Sequence, residues 1–142
     1  MQLISENRWI DLPDTVPLVP TCDRSVVEAY NSHYRSKAEY VIQTDVVPEP
    51  YIGSPNAPVY LLALNPGFST DDRFWHNQPS FRKALLGNLA HKNTAYPFYP
   101  LNPSFHEAPV SGWWRSKLKP LIDDADLAKV VTASVKLPTS AN

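Results

Sequence analysis

At 142 residues the chain is long enough for one domain and too short for two. A formal net charge of -1, from 13 basic and 14 acidic residues, argues against broad non-specific capture of duplex DNA but leaves room for a locally basic groove. With 43% apolar and 19% charged residues the chain is too apolar to be disordered throughout, and the lone Cys22 excludes an intramolecular disulfide.

A basic-then-apolar leader is not visible, nor is an apolar run of about 18 residues, so a soluble, cytoplasmic protein with no membrane partner is expected. The 15 prolines point to long irregular stretches laid over a small regular core. Residues 1–22 carry Trp9, Ile10 and Leu12 followed by Pro13, Pro17 and Pro20, and read as an extended arm anchored by Trp9. Residues 23–142 then form a single domain. Asp23 is a good N-cap for a first helix reaching about residue 38, with Val26, Val27, Tyr30 and Tyr34 as its apolar stripe and His33 on the polar side. The segment 40–47 favours extended structure, and 51–58 is a loop feeding the next element.

That element is Val59-Tyr60-Leu61-Leu62-Ala63-Leu64, six apolar or aromatic residues in a row, too short for an independent helix. It reads as a strand buried on both faces, as in a parallel sheet. It stops at Asn65-Pro66-Gly67. Pro66 suits the second position of a type II turn and Gly67 the third, so Asn65 is held at the carboxyl end of the strand, where open α/β sheets collect ligands. An Asn-Pro-Gly corner is also an ordinary structural turn. Ser69, Thr70, Asp71 and Asp72 are candidates to cap the following helical turn; an aspartate there can alternatively polarise a water. His76 and His91 lack metal-ligand spacing, and no His-x-Glu with paired cysteines is present, so no metal or other cofactor is expected and zinc deaminase chemistry is disfavoured.

A second helix is expected over 80–91, with Phe81, Ala84, Leu85 and Leu89 on its apolar face and Arg82, Lys83 and Lys92 on a basic side. Residues 93–112 alternate aromatics with prolines. Phe98 and Phe105 are candidate stacking surfaces for a flipped base, or else rings that cover the core. The Asn102-Pro103-Ser104 echo of the earlier corner reads as a second proline turn. A third helix over 112–122, bent or restarted at Pro120, presents Trp113 and Trp114 about 100° apart. It also holds the densest basic cluster, Arg115, Lys117 and Lys119, a candidate nucleic-acid contact. Asp123, Asp124 and Asp126 mark a turn, and residues 127–137 read as a second core strand. The fold class is therefore α/β: a small, mostly parallel sheet flanked by helices, with long proline-rich loops.

Leu64-Asn65-Pro66-Gly67-Phe68-Ser69 after a hydrophobic strand resembles the first active-site motif of the uracil-DNA glycosylase superfamily, in its mismatch-specific and single-strand-selective branches. Ala63 stands where a Gly is usual there. The approach Pro48-Glu49-Pro50-Tyr51-Ile52-Gly53 is similar, more loosely, to glycosylase-like bacterial proteins. The resemblance implies a three-layer glycosylase-like fold and hydrolysis of the N-glycosidic bond of a flipped uracil or mismatched base in DNA. It further implies Asn65 as the residue that positions the attacking water, and a pocket built around Gly67, Phe68 and Ser69. A recognisable second motif is absent, so the chain corresponds to the amino-terminal part of such a domain and is expected to lack its carboxyl-terminal part. Two strands make a thin sheet whose open edge favours a homo-oligomer. The alternatives are a catalytically inactive base- or nucleotide-binding protein of the same fold, and a structural or interaction protein.

Overall fold

A computed structural model describes residues 7–57, 59–63, 67–122 and 133–135. The chain divides into two compact units, Met1–Pro48 and Glu49–Asn142. Within the first unit the segment beyond the first helix turns back onto the arm. Leu18 donates its N–H to the Thr44 carbonyl at 2.7 Å. Asn31 clamps Ile42 from both sides, its amide donating to the Ile42 carbonyl at 2.9 Å and its oxygen accepting the Ile42 N–H at 2.8 Å. Leu18, Val19, Val46 and Val47 are buried.

Within this first unit, α1 spans Arg24–His33, shorter than the expected reach to 38. Tyr34 caps it and the chain continues into a 3-10 turn at Ala38–Tyr40. Its apolar stripe is not core: α1 has no buried residue, and Val26 is 69% exposed. Tyr34 instead meets Tyr30 and Tyr40 in tilted ring contacts along its flank, at 4.7 and 5.6 Å between centroids. Trp9, the expected anchor, is half-buried within a 3-10 turn, Arg8–Asp11.

The second unit carries both strands. β1 (Val59–Leu61) pairs in parallel with β2 (Ala133–Val135), in the register Val59 to Ala133 and Leu61 to Val135. Between them come α2 (Thr70–His76), α3 (Pro79–Leu89) and α4 (Pro109–Ile122). The two-sided burial expected of the strand is not found: Val59 is 56%, Tyr60 52% and Leu62 78% exposed. An unbroken apolar run identifies a strand that can be covered on both faces, but covering it needs layers packed on each side, and the core here forms elsewhere.

That core is helical and aromatic. On α3, Phe81, Leu85, Asn88 and Leu89 recur at helical spacing and are buried. Phe81 meets Tyr99 at 5.6 Å and Phe105 at 5.1 Å, both edge-to-face, the arrangement ring quadrupoles favour. On α4 the buried stripe is Ser111, Trp114 and Leu118, and Trp114 meets Phe98 edge-to-face at 5.1 Å. The loop between α3 and α4 is tightened into two 3-10 turns, Tyr99–Leu101 and Pro103–Phe105. Asn102 caps the second, accepting the Ser104 N–H at 3.0 Å, so Asn-Pro-Ser forms a proline turn here. α4 runs through Pro120 to Ile122 without a restart.

α3 ends in a Schellman arrangement: Lys92 N–H bonds the Gly87 carbonyl at 2.7 Å and His91 N–H the Asn88 carbonyl at 3.0 Å. His91 takes the left-handed position, φ 55°, that glycine usually fills.

Candidate functional site

Leu62 and Ala63 follow the carboxyl end of β1, the edge where parallel sheets collect ligands, and α2 starts at Thr70. The segment from β1 to α2 holds the motif that resembles the glycosylase one. Asn65, with Leu64 and Pro66, lies outside the described residues. Gly67, Phe68 and Ser69, the expected pocket residues, are all exposed, and a Cβ added at Gly67 would meet no described atom within 4 Å. Phe68 is 41% exposed, with the Arg73 guanidinium over its ring at 4.6 Å.

The start of α2 is held by a capping box. Asp72 Oδ2 accepts the Ser69 N–H at 2.7 Å, and the Ser69 side chain answers on the N–H of residue 72. Asp72 therefore spends its carboxylate on the helix start, the capping role open to it from sequence.

Behind α2 lies a buried polar cluster that sequence reading missed. Glu49 accepts a hydrogen bond from the Tyr99 hydroxyl on one carboxylate oxygen, and His76 Nε2 lies 3.3 Å from the other. His76 is 5% and Tyr99 1% exposed. Burial pushes the Tyr99 hydroxyl pKa well above its ordinary value, and the Glu49 charge and hydrogen bond add to that, with Asp72 contributing last. The cluster ties Glu49 to the end of α2 and to the 3-10 turn at Tyr99–Leu101. His76 and Tyr99 lie 27 and 50 residues from Glu49 along the chain, separations that no local pattern spans.

A second clamp holds the loop that feeds β1. Asn88 is 2% exposed; its Oδ1 accepts the Gly53 N–H at 2.9 Å and its Nδ2 donates to the Tyr51 carbonyl at 2.7 Å. The Tyr51 hydroxyl donates to the Leu89 carbonyl at 2.6 Å, and its ring stacks on His91 at 4.8 Å. Burial lowers the His91 pKa, so the imidazole is neutral near pH 7. Gly53 sits at φ 107°, a conformation only glycine adopts readily. An open pocket of about 60 Å³ beside Asn88, His91 and Asn93 has space for small molecules of solvent size and not for a nucleobase.

The remaining sequence candidates lie in the loop between α3 and α4 and on α4 itself. Phe98 and Phe105 are 3% and 4% exposed and belong to the aromatic core, so neither has an open face for a base to stack on. They were readable as loop aromatics; what the sequence does not show is that the flanking prolines fold the loop inward onto Phe81 and Trp114. Arg115 is half-buried, donating to the Leu101 carbonyl at 3.0 Å, with its Nε buried and unpaired among the described residues. It braces the 3-10 turn at Tyr99–Leu101. Lys117 and Lys119 are exposed. Among the described residues no group of three or more His, Cys, Asp or Glu side chains is placed to hold a metal ion, and no helix is long and apolar enough to cross a membrane.

No family model, no curated protein and no solved structure matches this chain.

Proposed function

We propose that this chain is a uracil-DNA-glycosylase-like protein of α/β class that acts on a base flipped out of DNA, with Asn65 as its central polar group. The observation that supports the reading is the parallel pairing of β1 with β2, because the motif follows β1 in the sequence and ligands of open α/β sheets collect beyond the carboxyl ends of such strands. The motif leads to an exposed Gly67, Phe68 and Ser69 and a capped helix start. Phe68 is the aromatic ring adjoining the motif, in place of Phe98 and Phe105, which the core absorbs.

The reaction is hydrolysis. Water attacks the anomeric carbon, the bond from sugar to base nitrogen breaks, the base leaves with the bonding electron pair, and the proton shed by the attacking water passes through solvent to the departed base. Positive charge grows on the sugar and negative charge on the base. The Asn65 amide is neutral and takes no proton, so its oxygen orients the water, while backbone N–H groups at Gly67 and Phe68 meet the charge on the base. Such a site depends on water positioning and leaving-group stabilisation more than on a strong base.

A cleavage assay on uracil-containing and mismatched oligonucleotides tests this, with wild type beside Asn65→Ala. Cleavage by wild type that drops at least about a hundredfold in the variant is expected, the scale of losing one oriented polar group in an active site. Equal cleavage by both removes Asn65 from the chemistry; binding of the same oligonucleotides without cleavage selects the inactive base-binding reading. We further propose that the protein works in the cytoplasm and that copies associate through the exposed Val59, Tyr60 and Leu62, which size-exclusion chromatography of wild type and Leu62→Ser would show.

A further inference from the structure

The outer face of α4 is not explained by the core or by the motif. Its inner stripe, Ser111, Trp114 and Leu118, is buried. Trp113, one residue before Trp114, projects about 100° away from it and is 39% exposed. Trp114 braces it edge-to-face at 4.7 Å, so the exposed indole is held in place by a ring that is itself locked in the core. One turn on, the Lys117 ammonium lies over the Trp113 ring at 5.7 Å. Ser116 completes the face, its hydroxyl donating to the Trp113 carbonyl at 2.7 Å. Across Pro109–Ile122 the helix carries Arg115, Lys117 and Lys119 and no acidic residue.

From this arrangement we propose that the Trp113–Lys117 face of α4 binds single-stranded DNA. The indole offers a flat surface for a base, and Lys117 swings from the ring to the adjoining phosphate; a stacking platform beside a cation is the minimal unit of single-strand recognition. Charge complementarity decides the partner, since the helix has cations and no anion to repel a phosphate backbone. The strand form follows from the geometry and the composition. A duplex keeps its bases stacked and out of reach of a side-on indole, and a chain of net charge -1 lacks the wide basic surface that duplex capture needs. Arg115 is excluded from this surface because it is committed to the Leu101 carbonyl. The inference rests on the reading that the chain works on DNA and names the strand form it takes.

The test is anisotropy of a fluorescent oligothymidylate, about 20 nucleotides long, at about 50 mM salt, where phosphate contacts are well expressed. A duplex of equal length and phosphatidylcholine–phosphatidylserine vesicles serve as the other arms. Wild type is expected to bind the single strand, with affinity falling at least about fivefold in Trp113→Ala and about tenfold in Lys117→Glu. Trp113→Phe and Lys117→Arg should retain most of the binding, which separates loss of the surface from loss of the fold. No binding by wild type, binding unchanged in both disruptive variants, or binding to vesicles or duplex in preference to the single strand would each overturn the proposal. Uracil cleavage measured in parallel keeps the two readings apart. Binding through Trp113 with no cleavage sinks the glycosylase reading alone, and Asn65-dependent cleavage with binding indifferent to Trp113 and Lys117 sinks this one alone.

Discussion

Replacing Asn88 should detach the loop that delivers the chain to β1. Its side chain bonds both the Gly53 N–H and the Tyr51 carbonyl from a position 2% exposed. In Asn88→Ala two hydrogen bonds go, each worth roughly 0.5–1.5 kcal/mol net, and the buried Gly53 N–H is left unpaired at a further cost of roughly 1–3 kcal/mol. The half-buried Tyr51 carbonyl can turn to water, so the expected loss is about 3 kcal/mol. With a urea slope of about 2 kcal/mol per M, the tryptophan-fluorescence midpoint falls by about 1.5 M. Asn88→Asp sharpens the argument. It keeps the acceptor for Gly53 but sets an oxygen against the Tyr51 carbonyl and buries a charge, so the introduced carboxyl has a folded pKa raised above its unfolded value. Its ionised form is the destabilising one. The variant is therefore nearest wild type at acid pH, and its deficit grows as pH rises from about 4 toward the raised pKa, by up to about 1.4 kcal/mol per pH unit. An alanine variant within about 1 kcal/mol of wild type, or an aspartate variant whose deficit is flat in pH, would refute the clamp.

A Cβ at Gly87 would collide with Oδ1 of Asn93, whose amide nitrogen bonds the Ala84 carbonyl at 2.8 Å. Gly87→Ala and Asn93→Ala should each cost about 1 kcal/mol, and the double variant less than their sum, because alanine regains helix propensity once Asn93 is cleared; urea melts of the four proteins give the coupling. Tyr99→Phe removes a buried donor to Glu49 and should cost about 1–2 kcal/mol at pH 7. The Tyr99 pKa is raised in the folded protein, so its contribution is complete below the unfolded value of about 10 and is lost as pH climbs past it. Wild type should therefore lose stability above about pH 10 more steeply than Tyr99→Phe, as urea midpoints on the alkaline side would record.

The helices α3 and α4 were legible because their apolar residues repeat at helical spacing and Pro79 marks the first position of α3. So were the capping start of α2, the proline turn at Asn102 and a strand at residue 59, since each depends on side chains within four residues of one another. The same grammar failed where burial had to be inferred. Val26 and Tyr30 form as regular a stripe as Phe81 and Leu85, yet α1 has no buried residue while the α3 residues are sealed. Periodicity says which face can be covered, not whether anything covers it.

What the sequence determined by itself is local: turn, cap, helix register, and an Asn-Pro-Gly string whose likeness to a glycosylase motif motivates the functional proposal. The tertiary structure decided which groups reach solvent and which meet across long separations. It drew Phe98 and Phe105 into the core, committed Arg115 to a backbone carbonyl, left Trp113 and Lys117 outside, and brought Glu49 to His76 and Tyr99. The physical reason is range. Dihedral preferences and hydrogen bonds between neighbours act within a few residues, whereas burial is a property of the surface that other segments happen to cover, and a single chain of letters does not record that surface.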